Sequence, residues 1–379
     1  MLNKNIVFIS KDAAWQKYRL DVLTKLGEKY DSEIVVLTTG NLKDYIKPNK
    51  YVKYISFINI FPQNAKPNFF PGSLFYLIKN KPDAILCLNN ATQLTEYFAL
   101  ILSKIFRIKF IWWTHGYDHD TQGRNRILKK IKKKYSLFFL KFGDKIITFS
   151  DGGQNYLSKF INDDKIIVAH NTLDTVSLIE KYNYLKYNFT KEQVRKEIAL
   201  ENDDFVLLFS GRLNIKKKVD DAIKVVKSIL NEGPNIKFII IGDGEEKKNL
   251  EQLAGVYVND RIIFTCSIFD ENLLAKYFYS SDLFLMPGYV GLAIIHAFSF
   301  GLPLITADVD NHSPEIEYLQ NDKNGYMIKK NDLKNMEEKI LFLMNNHSEL
   351  ERMSENAKIF VRNKGNINLM ISKMAKAIF

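Results

Sequence analysis

One segment constrains this chain more than any other: Ser281 to Asp308, SDLFLMPGYVGLAIIHAFSFGLPLITAD. An apolar run, Leu283 to Met286, stops at Pro287-Gly288. Gly291-Leu292 follow, then an apolar stretch of helical length, then Gly301-Leu302-Pro303 and a second strand-like run. Strand, glycine loop, helix, glycine turn, strand is a right-handed crossover, the repeating unit of a parallel sheet. The glycines lie at the carboxyl end of the first strand, where a phosphate or ribose can approach the backbone. The helix after them directs its positive end to the same spot. A nucleotide-type site is therefore expected in the C-terminal half. The dinucleotide fingerprint G-x-G-x-x-G occurs nowhere in the chain, which argues against a dehydrogenase.

Alternation of this kind runs through the rest of the sequence. Ile6 to Ile9, Glu33 to Leu37, Ala84 to Cys87, Phe110 to Trp113 and Lys145 to Thr148 read as strands between helical segments. The pattern restarts with Phe205 to Phe209, a helix Val219 to Leu230, Lys237 to Ile241 and Ile262 to Phe264. The expected class is α/β with parallel sheets covered on both faces. At 379 residues the chain is too long for one such core, so two domains are expected. A polar, strand-poor stretch places a linker near Thr172 to Tyr187. The expected domains are 1–180 and 188–360, with 361–379 a helix packing back on the first.

No uncharged apolar run approaches the ~20 residues that span a bilayer, and MLNKNIVFISKD reads as a buried strand rather than a signal peptide. Cys87 and Cys266 read as core residues of a reduced, cytoplasmic protein without metal-ligand spacing. The formal charge of +11 suits nucleotide phosphates, nucleic acid or an anionic membrane alike. Much of it sits in Arg124 to Lys145, where nine basic residues face one acid and Ile127, Ile131, Tyr135, Phe138, Phe139 and Phe142 recur at helical spacing. Such a helix either lies on an anionic membrane or is a core helix with a solvated basic face. No aromatic-basic stacking platform supports nucleic acid.

Chemistry is carried by three strand-end motifs. Gly211-Arg212-Leu213 with Lys216, Lys217 and Lys218 follows a strand directly. Arg212 offers a planar fork and Lys217 a point charge, a pair suited to a diphosphate, or else a solvated helix start. Gly242-Asp243-Gly244-Glu245-Glu246 is a second strand-to-helix turn, a tight turn with a helix cap or a place where a base slides past. The third is the opening segment. His115-Gly116 ends a buried strand of the first half, and Asp118, His119 and Asp120 follow it.

In order, these pieces resemble the GT-B glycosyltransferases, specifically the retaining glycosyltransferase family 4. G-R-L-x-x-x-K is met by Gly211, Arg212, Leu213 and Lys217, and G-D-G-x-E by Gly242, Asp243, Gly244 and Glu246. The strand-loop-helix signature is met by Pro287, Gly291, Leu292, Gly301 and Pro303. The later P-E-I…N-G is met by Pro314, Glu315, Ile316, Asn324 and Gly325. His115-Gly116 and Asn171 match more loosely. The resemblance implies two facing Rossmann-like domains with the active site between them. It implies a nucleotide-diphosphate sugar as co-substrate without metal or separate cofactor, with His115, Arg212 and Lys217 catalytic. It implies donor contacts from Gly211, Gly242, Gly244, Gly288, Gly291, Leu292, His296 and Glu315. The family places two glutamates eight positions apart in its signature loop, one for the donor sugar and one for the ribose. Those positions are Gly288 and His296 here. Gly288 leaves a backbone N–H, while His296 is either a ribose ligand or a packed helix histidine. The expected function is sugar transfer to a glycan or lipid-linked acceptor in capsule or lipopolysaccharide synthesis, at the inner face of the plasma membrane. A catalytically silent GT-B subunit that binds a glycan or partner protein is the alternative.

Overall fold

The computed structural model describes residues 4–11, 13, 16–43, 46–62, 67–116, 126–310 and 312–379, with 126–130 described by backbone alone. The chain divides into two compact units. One comprises Met1–Asp174 with Ile367–Phe379, the other Thr175–Asn366.

The first unit holds a sheet of β1 (Lys4–Ile9), β2 (Ser32–Thr39), β3 (Val52–Phe57), β4 (Ala84–Cys87), β5 (Lys109–Thr114), β6 (Lys145–Thr148) and β7 (Ile166–Val168). Their order is β3-β2-β1-β4-β5-β6-β7, and each pairing is parallel. Runs such as Phe110 to Trp113 are buried at every position, because helices cover both faces. The order turns between β1 and β4: the chain builds outward from β1 to β3, then crosses back to β4. The last helix, Ile367–Ile378, packs on the helix Lys17–Tyr30 and on β5 to β7. It buries Ile367, Met370, Ile371, Met374 and Ile378, the spacing of one helix face.

The second unit holds β8 (Phe205–Ser210), β9 (Ile236–Ile241), β10 (Ile262–Phe264), β11 (Leu283–Leu285), β12 (Leu304–Ala307) and β13 (Gly325–Ile328). The order is β10-β9-β8-β11-β12-β13, again parallel throughout, and it turns between β8 and β11.

Three expectations need correction. The supposed linker is mostly the helix Thr175–Asn188 of the second unit. It packs on the helices Glu271–Ser280 and Ala293–Ser299, with Tyr182 against Tyr279 and Phe300. Its contacts are made by tyrosines among lysines and asparagines, so no clean apolar period marks it. Residues 361–366 stay with the second unit, and the helix that joins the first begins at Ile367. Cys266 is exposed rather than core, because β10 ends at Phe264, two residues before it; Cys87 is buried.

The basic segment forms the helix Arg126–Leu140. Tyr135 and Phe139 pack on Tyr97 at 4.9 and 4.5 Å between ring centroids. Ile131, Lys132, Lys133, Lys134, Phe138 and Phe142 stay exposed. The helix is thus anchored along one side and carries both lysines and large apolar groups on the other. Among the described residues no helix is long and apolar enough to cross a membrane.

Candidate active site

The site forms at the carboxyl ends of β8, β9 and β11, where the second sheet changes direction, the usual ligand position in such sheets. Two glycine turns interlock there. A Cβ on Gly242 would lie 1.9 Å from the Gly211 carbonyl oxygen, and one on Gly244 would lie 2.2 Å from that of Leu213. Only glycine lets the two loops approach so closely. The Gly211 N–H donates to the Ile241 carbonyl (2.9 Å) and the Gly242 N–H to that of Cys266 (2.9 Å). The Gly244 N–H donates to Asp243 Oδ1 (2.7 Å). These glycines let the two loops pack together and have no N–H left for a ligand.

Lys217 closes a short 3-10 turn, Ile215–Lys217, capped by the Asn214 side chain. Its Nζ donates to the Tyr289 carbonyl at 2.7 Å, lies 3.6 Å from Met286 Sδ and sits 5.1 Å from the Tyr289 ring centroid. Its Cε would touch a Cβ built on Gly211, at 3.8 Å. Burial pushes the pKa of the Lys217 ammonium down to about 8. It is a cation held beside glycine turns by a neutral carbonyl. Arg212 is exposed and pairs with Glu245 at 3.3 Å. A surface pair of this kind is worth little, so the fork is free to exchange partners.

The loop after β11 is seated on the lysine turn. The Gly288 N–H donates to the Lys217 carbonyl (3.0 Å), and the Tyr289 N–H to that of Lys216 (2.8 Å). The expectation that Gly288 offers its N–H to a ligand is therefore wrong: the turn beneath takes it. Further on, the N–H groups of Gly291 and Leu292, at the start of the helix Ala293–Ser299, find no acceptor among the described residues. His312 braces the loop from behind. Its Nδ1 accepts the Val290 N–H (3.1 Å) while Nε2 lies 2.8 Å from the Ala307 carbonyl, so the proton sits on Nε2. Sequence reasoning missed Tyr289 and His312, since neither falls in a recognisable spacing.

His296 stands apart from this cluster. Its ring lies flat on Phe278 at 3.8 Å and 4°, with Phe300 at 5.6 Å. Burial drives its pKa down to about 3, so the ring is neutral at physiological pH. Stacking occupies a face and leaves the nitrogens on the ring edge. Glu315 is buried on the 3-10 turn Pro314–Tyr318, which packs on the helix Ala293–Ser299. In the first unit His115 follows β5, exposed, with its ring edge-on to Phe149 at 4.5 Å. Asp118, His119, Asp120 and Arg124 lie outside the described residues, as do the side chains of Arg126, Ile127, Lys129 and Lys130.

Residues 190–360 match the family model of the glycosyl transferases group 1. An uncharacterized glycosyltransferase of Haemophilus influenzae is 25% identical over 370 residues, 95% of each chain. The capsular polysaccharide biosynthesis glycosyltransferase CapM of Staphylococcus aureus is 27% identical over 190 residues, 49% of this chain and 47% of CapM. Among solved structures, Anabaena HepE in complex with UDP superposes with a TM-score of 0.73 at 16% identity, covering 99% of both chains. WaaG, a glycosyltransferase involved in lipopolysaccharide biosynthesis, superposes at 0.67 and 16% identity over 98% of this chain and 99% of its own. The chain has the GT-B fold, and most of its second unit matches the glycosyl transferases group 1, the class to which its relatives' names also point.

Proposed function

We propose that the protein transfers a hexosyl group, with retention, from a nucleoside-diphosphate sugar to a lipid-linked or oligosaccharide acceptor of a bacterial surface polysaccharide, capsule or lipopolysaccharide. The observation that carries this is the Lys217 ammonium, half-buried beside Gly211 and held, among the described residues, by the Tyr289 carbonyl, Met286 and the Tyr289 ring. A diphosphate arriving there gives it a counter-ion and restores its full charge. In the transfer, Lys217 and Arg212 stabilise charge that develops on the departing diphosphate, the largest contribution such a site makes. The N–H groups of Gly291 and Leu292 face the same helix start and suit a phosphate oxygen. The edge of the neutral His296 ring bonds a ribose hydroxyl, and the buried Glu315 carboxyl takes a sugar hydroxyl. The first unit takes the acceptor, and His115, at the end of β5, is its catalytic residue. No resident metal or separate cofactor takes part.

Two kinds of relative support this reading. The Anabaena structures hold UDP and UDP-glucose, and CapM and WaaG are named for capsule and lipopolysaccharide synthesis. The exposed lysines and apolar groups of the helix Arg126–Leu140 suit an anionic membrane surface, which supports a working position at the inner face of the plasma membrane.

The test is a panel of nucleotide sugars screened by thermal stabilisation, followed by transfer assays. Lys217→Ala and Arg212→Ala should each lower transfer by about a hundredfold or more. Wild-type turnover in either variant with the correct donor refutes the assignment. Tight donor binding with neither transfer nor donor hydrolysis would identify a silent subunit instead.

A further inference from the structure

The first sheet also changes direction, between β1 and β4, and a second polar cluster lies at the carboxyl ends of these strands. Ser10 follows β1 and is fully buried. Leu88, Asn89 and Asn90 follow β4. Arg19, on the first turn of the helix Lys17–Tyr30, is 8% exposed. Among the described residues its guanidinium makes one long hydrogen bond, from Nη1 to Ser10 Oγ at 3.5 Å, and its Nε donates to none. It sits 5.8 Å from the Trp113 ring and 5.5 Å from the Tyr18 ring.

The second unit supplies a control. Arg195, 5% exposed, is equally buried, and its fork is saturated. Nε donates to the Ser280 carbonyl, Nη1 to those of Asn202 and Asp204, and Nη2 to Asp282 Oδ2, all at 2.8–3.1 Å. That is how a structural arginine looks when four of its five N–H groups have close partners. Arg19 has the burial without the partners.

Its surroundings hold other polar groups left unmatched. Glu96 is fully buried, and its Oε2 accepts the Asn90 N–H at 3.0 Å while Oε1 has no partner. Burial lifts its pKa to about 8 against the pull of the Arg19 charge, which weakens the carboxyl as a counter-ion. Among the described residues the buried Trp113 Nε1–H finds no acceptor, and Gln16 Oε1, three positions before Arg19, finds no donor. A buried guanidinium without partners is costly to maintain. A planar fork of open N–H groups is matched by a carboxylate or a phosphate.

We propose that the crevice between β1 and β4, with Arg19 as its principal ligand, binds an oxyanion carried by the acceptor. The group is the phosphate of a phosphate-linked acceptor or the carboxylate of an acidic sugar. This rests on the reading that the first unit takes the acceptor, and it adds the chemical class that the unit selects.

The experiment titrates the whole chain with methyl phosphate and with glucuronate, reading tryptophan fluorescence and calorimetric heat. Wild type and Lys217→Ala should both bind one or both probes saturably. Arg19→Gln should bind about tenfold more weakly or not at all, the loss of a charge-assisted contact, and Arg19→Lys should fall between. Preference for methyl phosphate assigns a phosphate-linked acceptor, and preference for glucuronate an acidic sugar. No saturable binding, equal binding by Arg19→Gln, or binding lost in Lys217→Ala but kept in Arg19→Gln overturns the proposal. Thermal unfolding guards against a purely structural role. Arg19→Met should match or exceed the wild-type Tm, whereas Arg195→Met should lower it. An Arg19→Met variant destabilised as much as Arg195→Met would also overturn the proposal. Nucleotide-sugar binding, measured in parallel, keeps the two readings separate: either site can be found empty while the other binds.

Discussion

Replacing Gly288 by alanine adds one methyl group at a crowded point of the loop after β11. The new Cβ would lie 2.2 Å from the Lys216 carbonyl oxygen, 2.5 Å from the Lys217 carbonyl carbon and 2.7 Å from its oxygen. All three are backbone atoms, so no rotamer change relieves the clash. The loop and the lysine turn must part by about 1 Å to reach ordinary contact. Overpacking of this kind costs about 1–3 kcal/mol. The separation also stretches the bonds from Gly288 N–H to Lys217 and from Tyr289 N–H to Lys216, each worth about 1 kcal/mol net. Together the expected destabilisation is about 2–4 kcal/mol, read as a lower urea midpoint for the second unit. The Tyr289 carbonyl that holds Lys217 Nζ moves with the loop, and a misplacement of about 1 Å lowers turnover by about a hundredfold. Gly291→Ala is the control. Its Cβ would meet Tyr289 Cε1 at 3.6 Å and Ser313 Cβ at 3.9 Å, ordinary contacts, so stability should hold. A Gly288→Ala protein with wild-type midpoint and turnover would show that the loop does not set the lysine.

Further outcomes follow from the same geometry. Lys217 has a folded-state pKa of about 8 against 10.5 unperturbed, so between those values the unfolded chain binds more protons and stability rises with pH; Lys217→Met should flatten that rise in denaturation curves. His296, at about 3 against 6.5, acts with the same sign at acid pH: stability falls as pH drops from about 6.5 toward 3, and His296→Phe should reduce that acid loss. His296→Ala should weaken donor and free nucleoside diphosphate alike in calorimetry, whereas unchanged nucleotide affinity would leave the ring as a packing partner of Phe278. The protein should sediment with anionic but not neutral vesicles and release as salt rises, each lysine near the surface adding about 1 kcal/mol. Glutamine at Lys132, Lys133 and Lys134 should weaken that binding and spare transfer to a water-soluble acceptor.

Periodicity alone determined much of this protein. Apolar runs such as Val206 to Phe209 in β8 and Phe238 to Ile241 in β9 can only be strands buried on both faces, and helices between them force parallel crossovers. Glycines at strand ends marked the loops that meet at the carboxyl ends of β8, β9 and β11, because close backbone approach leaves a mark in residue type. Contacts between residues distant in sequence leave no such mark. That Gly288 spends its N–H on Lys217, that His312 braces Val290, and that His296 lies on Phe278 are decided by which loops the sheet order brings together. The helix Thr175–Asn188 was hidden because its tyrosines find their apolar partners on other helices. Arg19 and Arg195 make the distinction plainest. Both are buried arginines on helices, and residue type alone does not separate them. The fold surrounds one with carbonyls and a carboxylate and leaves the other's fork open, since partners for a buried charge come only from the tertiary structure.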